Sequence, residues 1–214
     1  DVHVLRLPQP FYVSMKRGRI DKHRYKSPGF FRVPAPVASP TYVCPDGADE
    51  DADGNERHGR VENYILYCGK ESDYPCSIQY ADVHCIKTEA LRSHLNGRYG
   101  FNSKAITRRL ISHLDKIRPD IIHLHNIHGH NCDLEELFHF LAGRHVKVFW
   151  TFHDCWAFTA YCPYFDIAKC DKWRTGCSDC PQYREYSLLF DRSKMLYKKK
   201  EELVSGVDMT IVTP

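Results

Sequence analysis

Five of the chain's ten cysteines lie in His153–Cys180, HDCWAFTAYCPYFDIAKCDKWRTGCSDC, which opens on an adjacent His-Asp pair. Cys162, Cys170, Cys177 and Cys180 are spaced C-x7-C-x6-C-x2-C. Four thiolates on a compact loop are the donor set of tetrahedral structural zinc, and Cys177-Ser-Asp-Cys180 has the form of a zinc knuckle. The first half of the pattern has no knuckle of its own. Structural zinc and reduced free thiols therefore both stay open, with a disulfide as the third alternative. The N-terminus DVHVLRLPQPF lacks the basic-then-apolar layout of a secretory leader, which argues against a disulfide scaffold. Cys155 reads as packing, and nothing marks any cysteine as a low-pKa nucleophile.

Two histidine groups could act on a polar substrate. HLHNIHGH runs from His123 to His130, and His153-Asp154 follows VKVFWTF. Side chains alternate along a strand, so His123 and His125 share one face. A metallo-hydrolase of H-x-H-x-D-H type needs Asp where this chain has Ile127, so a metal at this cluster is disfavoured. A histidine at a strand's mouth more often hydrogen-bonds than ligates. His153 either meets substrate or is a buried, satisfied histidine. Asp154 need not orient it, because an Asp there can bond backbone amides of its own loop. The acidic stretch D-x-D-x-D-G from Asp49 starts like a calcium loop, but its twelfth position is Arg60 where a bidentate Glu is needed.

The elements that must hold these groups form an alternating pattern. Tyr64–Cys68 is a short apolar strand, and Asp82–Leu95 a helix stopped at Asn96-Gly97. Ser103 caps a helix to Ile117 with Ile106, Leu110, Ile111 and Leu114 on one face. Asp120–Leu124 is a buried strand, Asp133–Gly143 an amphipathic helix and Val146–Thr151 a strand. Arg192–Val204 is a helix and Met209–Val212 a last strand. Strand and helix in alternation mean βαβ units and a parallel sheet, with ligands beyond the carboxyl ends of the strands. Both histidine groups fall on that rim. The connection carrying the cysteines is long for a βα loop, and either zinc or its many aromatics must organise it. Residues 1–60 are Pro-rich, then acidic, with no clean period; they read as irregular, with at most a short strand near Phe11–Ser14. A net charge of +3 is too mild to argue for nucleic acid, and the basic block Lys198–Lys200 reads as a solvated face.

In order and spacing, PDIIHLHNIHGH, VFWTFHDCWAFTAYCPYF, CDKWRTGCSDCPQ and LLFDRSKMLYKKKEEL resemble bacterial family 4 glycosyltransferases of GT-B architecture. The similarity is to the subgroup that builds capsular and colanic-acid-like exopolysaccharides. YGFNSKAITRRL is similar to the GFGSKxAT stretch of that subgroup. The resemblance covers residues 61–214 and implies a Rossmann-like, acceptor-binding domain of α/β class: a parallel sheet with flanking helices and a Cys-rich loop. It implies retaining transfer from a nucleotide-sugar donor to a polysaccharide or lipid-linked acceptor, with no metal or other cofactor for catalysis. His153 falls on the family's T-x-H-D histidine, which contacts the transferred sugar, and His125 and Asn126 fall on the H-x-H-N turn lining the cleft. Asp154 is counted with the substrate-binding residues.

The family's Gly-rich loop is not recognisable in residues 1–60, and its donor-holding second domain is not within the chain. The resemblance therefore implies a fragment that does not transfer sugar alone, placed in the cytoplasm or at the inner face of the membrane. Two rivals remain: a zinc-stabilised, non-catalytic interaction module, and a metallo-hydrolase built on the histidines.

Overall fold

The computed structural model describes residues 12–17, 62–72 and 76–213. Six strands form one sheet. They are β1 (Tyr12–Arg17), β2 (Glu62–Gly69), β3 (Ser77–Asp82), β4 (Ile121–His125), β5 (Lys147–Thr151) and β6 (Met209–Val212). The helices are α1 (Val83–Asn96), α2 (Lys104–Ile117), α3 (Leu134–Ala142), the short α4 (Tyr183–Tyr186) and α5 (Ser193–Ser205). The strand order is β3-β2-β1-β4-β5-β6. β2 pairs parallel with β3, and β4, β5 and β6 pair parallel in succession. The result is the expected α/β domain, a mainly parallel Rossmann-like sheet flanked by helices.

Two features of the sheet differ from the sequence reading. β1 lies between β2 and β4 and is antiparallel to both, so the sheet is mixed. Strand direction leaves no trace in residue periodicity, and mixed sheets are common. β3 was not foreseen. Its burial is graded along the strand and not alternating, so SIQYAD offers little period-2 signal. The irregular character expected for the remainder of residues 1–60 lies outside the described residues, as does the calcium-like stretch.

Each long helix is fixed at its ends by local chemistry. Asp82 caps α1 by accepting from the Cys85 amide at 2.8 Å, and Gly97 ends it in a left-handed conformation (φ 69°). A Cβ at Gly97 would lie 2.8 Å from both the Phe190 carbonyl and the Ser187 hydroxyl, so the loop before α5 can rest directly on this turn. Asp133 caps α3, accepting from the Glu136 amide at 3.1 Å, and Glu135 and Glu136 complement the positive end of the helix. Ser103 behaves otherwise. It sits at the N-cap of α2 but makes no cap hydrogen bond; its hydroxyl donates to the His130 carbonyl at 2.9 Å. The Thr107 hydroxyl accepts from the Asp133 amide at 2.6 Å and donates to the Ser103 carbonyl. The start of α2 is thereby tied to the loop between β4 and α3.

The core lies where Leu66, Ile122, Leu124, Val148 and Trp150 of the sheet meet Leu110 and Leu114 of α2 and Leu137, Phe138 and Leu141 of α3. The buried face of α2 is Ile106, Thr107, Leu110 and Leu114; Ile111, expected on it, is only half-buried. Leu110 is fully buried, so Leu110→Ala leaves a cavity and should lower the unfolding free energy by about 2–5 kcal/mol in urea titrations.

Candidate active site

The parallel pairing of β4 and β5 sets His125 opposite Thr151. His123 and His125 therefore point to the same face, their ring centroids 4.0 Å apart. Across the strand boundary His123 Nε2 lies 2.8 Å from Thr151 Oγ1, and His125 Nδ1 lies 3.0 Å from His153 Nε2. One proton serves the His125–His153 contact, so one imidazole donates and the other accepts.

The chain leaves β4 through Asn126, whose φ of 45° is a left-handed value that Asn tolerates better than most residues. The Asn131 amide donates to the Asn126 carbonyl at 3.0 Å and closes the turn. His128 then reaches across to Asp154, Nε2 to Oδ2 at 3.0 Å, while Asp154 Oδ1 accepts from the Trp156 amide at 2.9 Å. Asp154 thus holds its own loop and His128, not His153. His128 was missed as a site residue; its only sequence signal is its place three residues beyond His125. A cleft between the two strand ends is lined by Asn126, His128, Thr151, His153, Asp154 and Trp156. Of the expected residues, Asn126, His153 and Asp154 line it, and His125 joins them through its contact with His153.

The electrostatics favour neutral imidazoles. Burial, with His123 and His153 as neighbours, lowers His125 from 6.5 to about 3. Burial and His153 lower His123 as well. His153 is lowered by burial, which outweighs the opposing pull of Asp154. Burial raises Asp154, but the His128 hydrogen bond and charge and the Trp156 amide more than offset it, leaving a carboxylate below its usual range. His130, on the same loop, is lowered to about 4 by burial and by His94 and His128. Neutral rings present one donor and one acceptor each, a set suited to sugar or other hydroxyls.

The wall behind the cleft is aromatic. Tyr99 meets His130, Trp156 and Tyr186 edge-on at 5.2, 6.0 and 5.3 Å. Gly100 is left-handed (φ 81°), and a Cβ on it would sit 2.7 Å from the Trp156 ring. Trp156 is held from the other side by Lys200 of α5. Lys200 is 2% exposed; its ammonium donates to the Trp156 carbonyl at 2.7 Å and the Thr159 carbonyl at 2.9 Å, and lies 3.4 Å from the indole centroid. This corrects the reading of Lys198–Lys200 as a solvated face. Lys198 is exposed, Lys199 pairs with Glu135 at 3.1 Å, and Lys200 is in the interior. Ser193, Leu196 and Lys200 fall on the buried side of α5, so helical spacing was the signal available.

The cysteine loop leans on aromatic packing. Trp173 lies 5.3 Å from Phe158 and 4.9 Å from Phe165, and Lys172 donates to the Ser178 and Asp179 carbonyls inside the C-x-x-C. Cys162, Cys170, Cys177 and Cys180 are free thiols. Cys180 is raised to about 11 by burial, with Cys162 and Cys170 among its charge neighbours; burial raises Cys162 and Cys177 too. Among the described residues, however, no three His, Cys, Asp or Glu side chains are grouped to hold a metal ion. Cys76 departs from the expected reduced state, being disulfide-bonded.

A Rossmann-like sheet with a hydrogen-bonding site beyond the carboxyl ends of two adjacent parallel strands places that site where open α/β sheets bind their ligands. Over 91 residues the chain is 32% identical to WcaC of Escherichia coli (strain K12), a protein named for a glycosyl transferase role in colanic acid biosynthesis. The match takes in 40% of this chain and 22% of that relative. It supports a glycosyltransferase relationship. No family model and no solved structure matches the chain. Among the described residues no helix is long and apolar enough to cross a membrane.

The imidazole pKa values carry a pH prediction. A histidine whose folded pKa is depressed contributes stability above its unfolded value of 6.5, and loses it as pH falls through that value toward the folded one. The window therefore runs from 6.5 down to about 3 for His125 and about 4 for His130. Ring nitrogen shifts in NMR should show both residues still neutral at about pH 5. Titration of either near its ordinary value would mean that water reaches the network.

Proposed function

We propose that this chain is the acceptor-side domain of a retaining glycosyltransferase of GT-B type, acting in exopolysaccharide assembly. It takes a sugar from a nucleotide-sugar donor to a polysaccharide or lipid-linked acceptor. The observation that carries the reading is the neutral His125–His153 pair at the carboxyl ends of β4 and β5. The motif resemblance and the partial WcaC match point the same way.

In this reading His153 hydrogen-bonds the transferred sugar, and His125 fixes the orientation and tautomer of its ring. Asn126 lines the acceptor side of the cleft. Asp154 holds its loop through the Trp156 amide and His128, so its role is to fix the loop that lines the cleft and not to take a proton. His153 is exposed at the cleft, and as a neutral ring it can donate to or accept from a hydroxyl. The donor is clamped by a second α/β domain, so the present chain by itself holds acceptor and not nucleotide.

In a protein carrying both halves, His153→Ala should lower turnover by about 10²-fold or more while leaving the melting temperature near wild type. Radiolabelled sugar transfer measures this, with His153→Gln recovering part of the loss if hydrogen bonding is the role. Turnover equal to wild type would remove His153 from the site.

We also propose structural zinc on Cys162, Cys170, Cys177 and Cys180, supported by their spacing in the sequence. The thiols would have to close from their present arrangement and lose their protons to ligate. Protein purified without added zinc should then carry about one equivalent per chain by elemental analysis. Metal-free protein with all four thiols titratable in the native state would end the proposal.

A further inference from the structure

The imidazoles at the rim differ in what they can offer a ligand, and the difference lies in their partners. His123 Nε2 meets the Thr151 hydroxyl at 2.8 Å, and His125 Nδ1 meets His153 Nε2 at 3.0 Å. A hydroxyl and a neutral imidazole can each donate or accept, so the polarity of these contacts can reverse. His128 is different. Its Nε2 lies 3.0 Å from Asp154 Oδ2, and Asp154 is a carboxylate held below its usual pKa range. An ionised carboxylate only accepts, so Nε2 must carry the proton, and the lone pair of a neutral ring is confined to Nδ1.

The carboxylate is fixed from its other side. Asp154 Oδ1 accepts from the Trp156 amide at 2.9 Å, so turning the group away from His128 would break both bonds. The Trp156 carbonyl in turn accepts from buried Lys200 at 2.7 Å, and the Trp156 indole centroid lies 5.8 Å from that of His128. Among the described residues Nδ1 of His128 makes no hydrogen bond, while the side chain is 27% exposed and lines the cleft beside Asn126 and His153. The cleft wall therefore carries an imidazole nitrogen fixed as an acceptor.

Glycosyl transfer has a use for such a group. An attacking hydroxyl must aim an oxygen lone pair at the anomeric carbon, so its O–H has to point elsewhere. A neighbour that can also donate would allow the hydroxyl to turn round; one that can only accept would not. We propose that His128 contacts the substrate, its Nδ1 accepting from the attacking hydroxyl of the acceptor, with Asp154 setting the ring tautomer that makes this possible. Asp154 is then a positioning residue that acts through His128. The inference deepens the glycosyltransferase reading and rests on it for the ligand, whereas the tautomer rests on the geometry of this chain.

Two measurements test it. On the present chain at about pH 8, long-range proton–nitrogen NMR correlations should show His128 protonated at Nε2. Asp154→Asn, whose amide donates as well as accepts, should mix the two tautomers. A wild-type ring protonated at Nδ1, or already a mixture, overturns the proposal. In a protein carrying both halves, His128→Ala should lower kcat/KM for the acceptor by about 10²-fold. His128→Asn, which returns an accepting oxygen near the place of Nδ1, should recover part of that loss. His128→Ala/Asp154→Asn should be no worse than His128→Ala alone, because residues that act as a unit do not add. Wild-type turnover in His128→Ala, or additive losses in the double variant, overturns the role even where His153→Ala still impairs transfer and the glycosyltransferase reading stands. A wild type that transfers no sugar ends that reading and this role together. The wild-type tautomer needs no substitution, so it is read whether or not the variants fold.

Discussion

Everything at the rim depends on the in-register parallel pairing of β4 with β5. Because His125 stands opposite Thr151, the histidines of one strand meet the hydroxyl and imidazole that end the other. A one-residue slip would turn His123 and His125 toward the opposite face and put Leu124 in their place. That register is held by buried residues on the other side of the strands, where Leu124, Val148 and Trp150 pack against the helices. The hydrophobic core thus sets the geometry of the polar site that borders it.

Neutrality is the chemical consequence. Burial disfavours the charged form of the three imidazoles gathered at the strand boundary, and their mutual repulsion adds to the cost. The nearby carboxylate is spent elsewhere: Asp154 is satisfied by a backbone amide and by His128. The site therefore presents hydrogen-bonding groups of low charge, in contrast to the dense cationic pockets that grip phosphates.

Much of this was legible in the residues. The α3 helix announced both its ends, Asp133 as cap and Gly143 as stop, and β4, β5 and β6 were apolar runs of the right length. The rim placement of His125, Asn126, His153 and Asp154 followed from the alternation of strand and helix. What stayed hidden was whatever depends on distant partners. β3 pairs at the sheet edge with little apolar signal, and β1 takes a direction that side-chain patterns do not encode. Ser103 has the composition of a cap but spends its hydroxyl on His130, twenty-seven residues away. Lys200 looked like one of three surface lysines because charge runs draw the eye away from helical phase; only its spacing from Leu196 betrayed it.

Lys200 also makes the last βα unit mechanically inseparable from the site. Its side-chain nitrogen is enclosed by two carbonyls and an indole face, and burial pushes its pKa well below the usual lysine value. α5 leads on to β6 through Gly206, and β6 is the sheet edge nearest the chain's end. Trp156 stands two residues from Asp154, so a change in the packing of α5 would be felt first in the loop that lines the cleft.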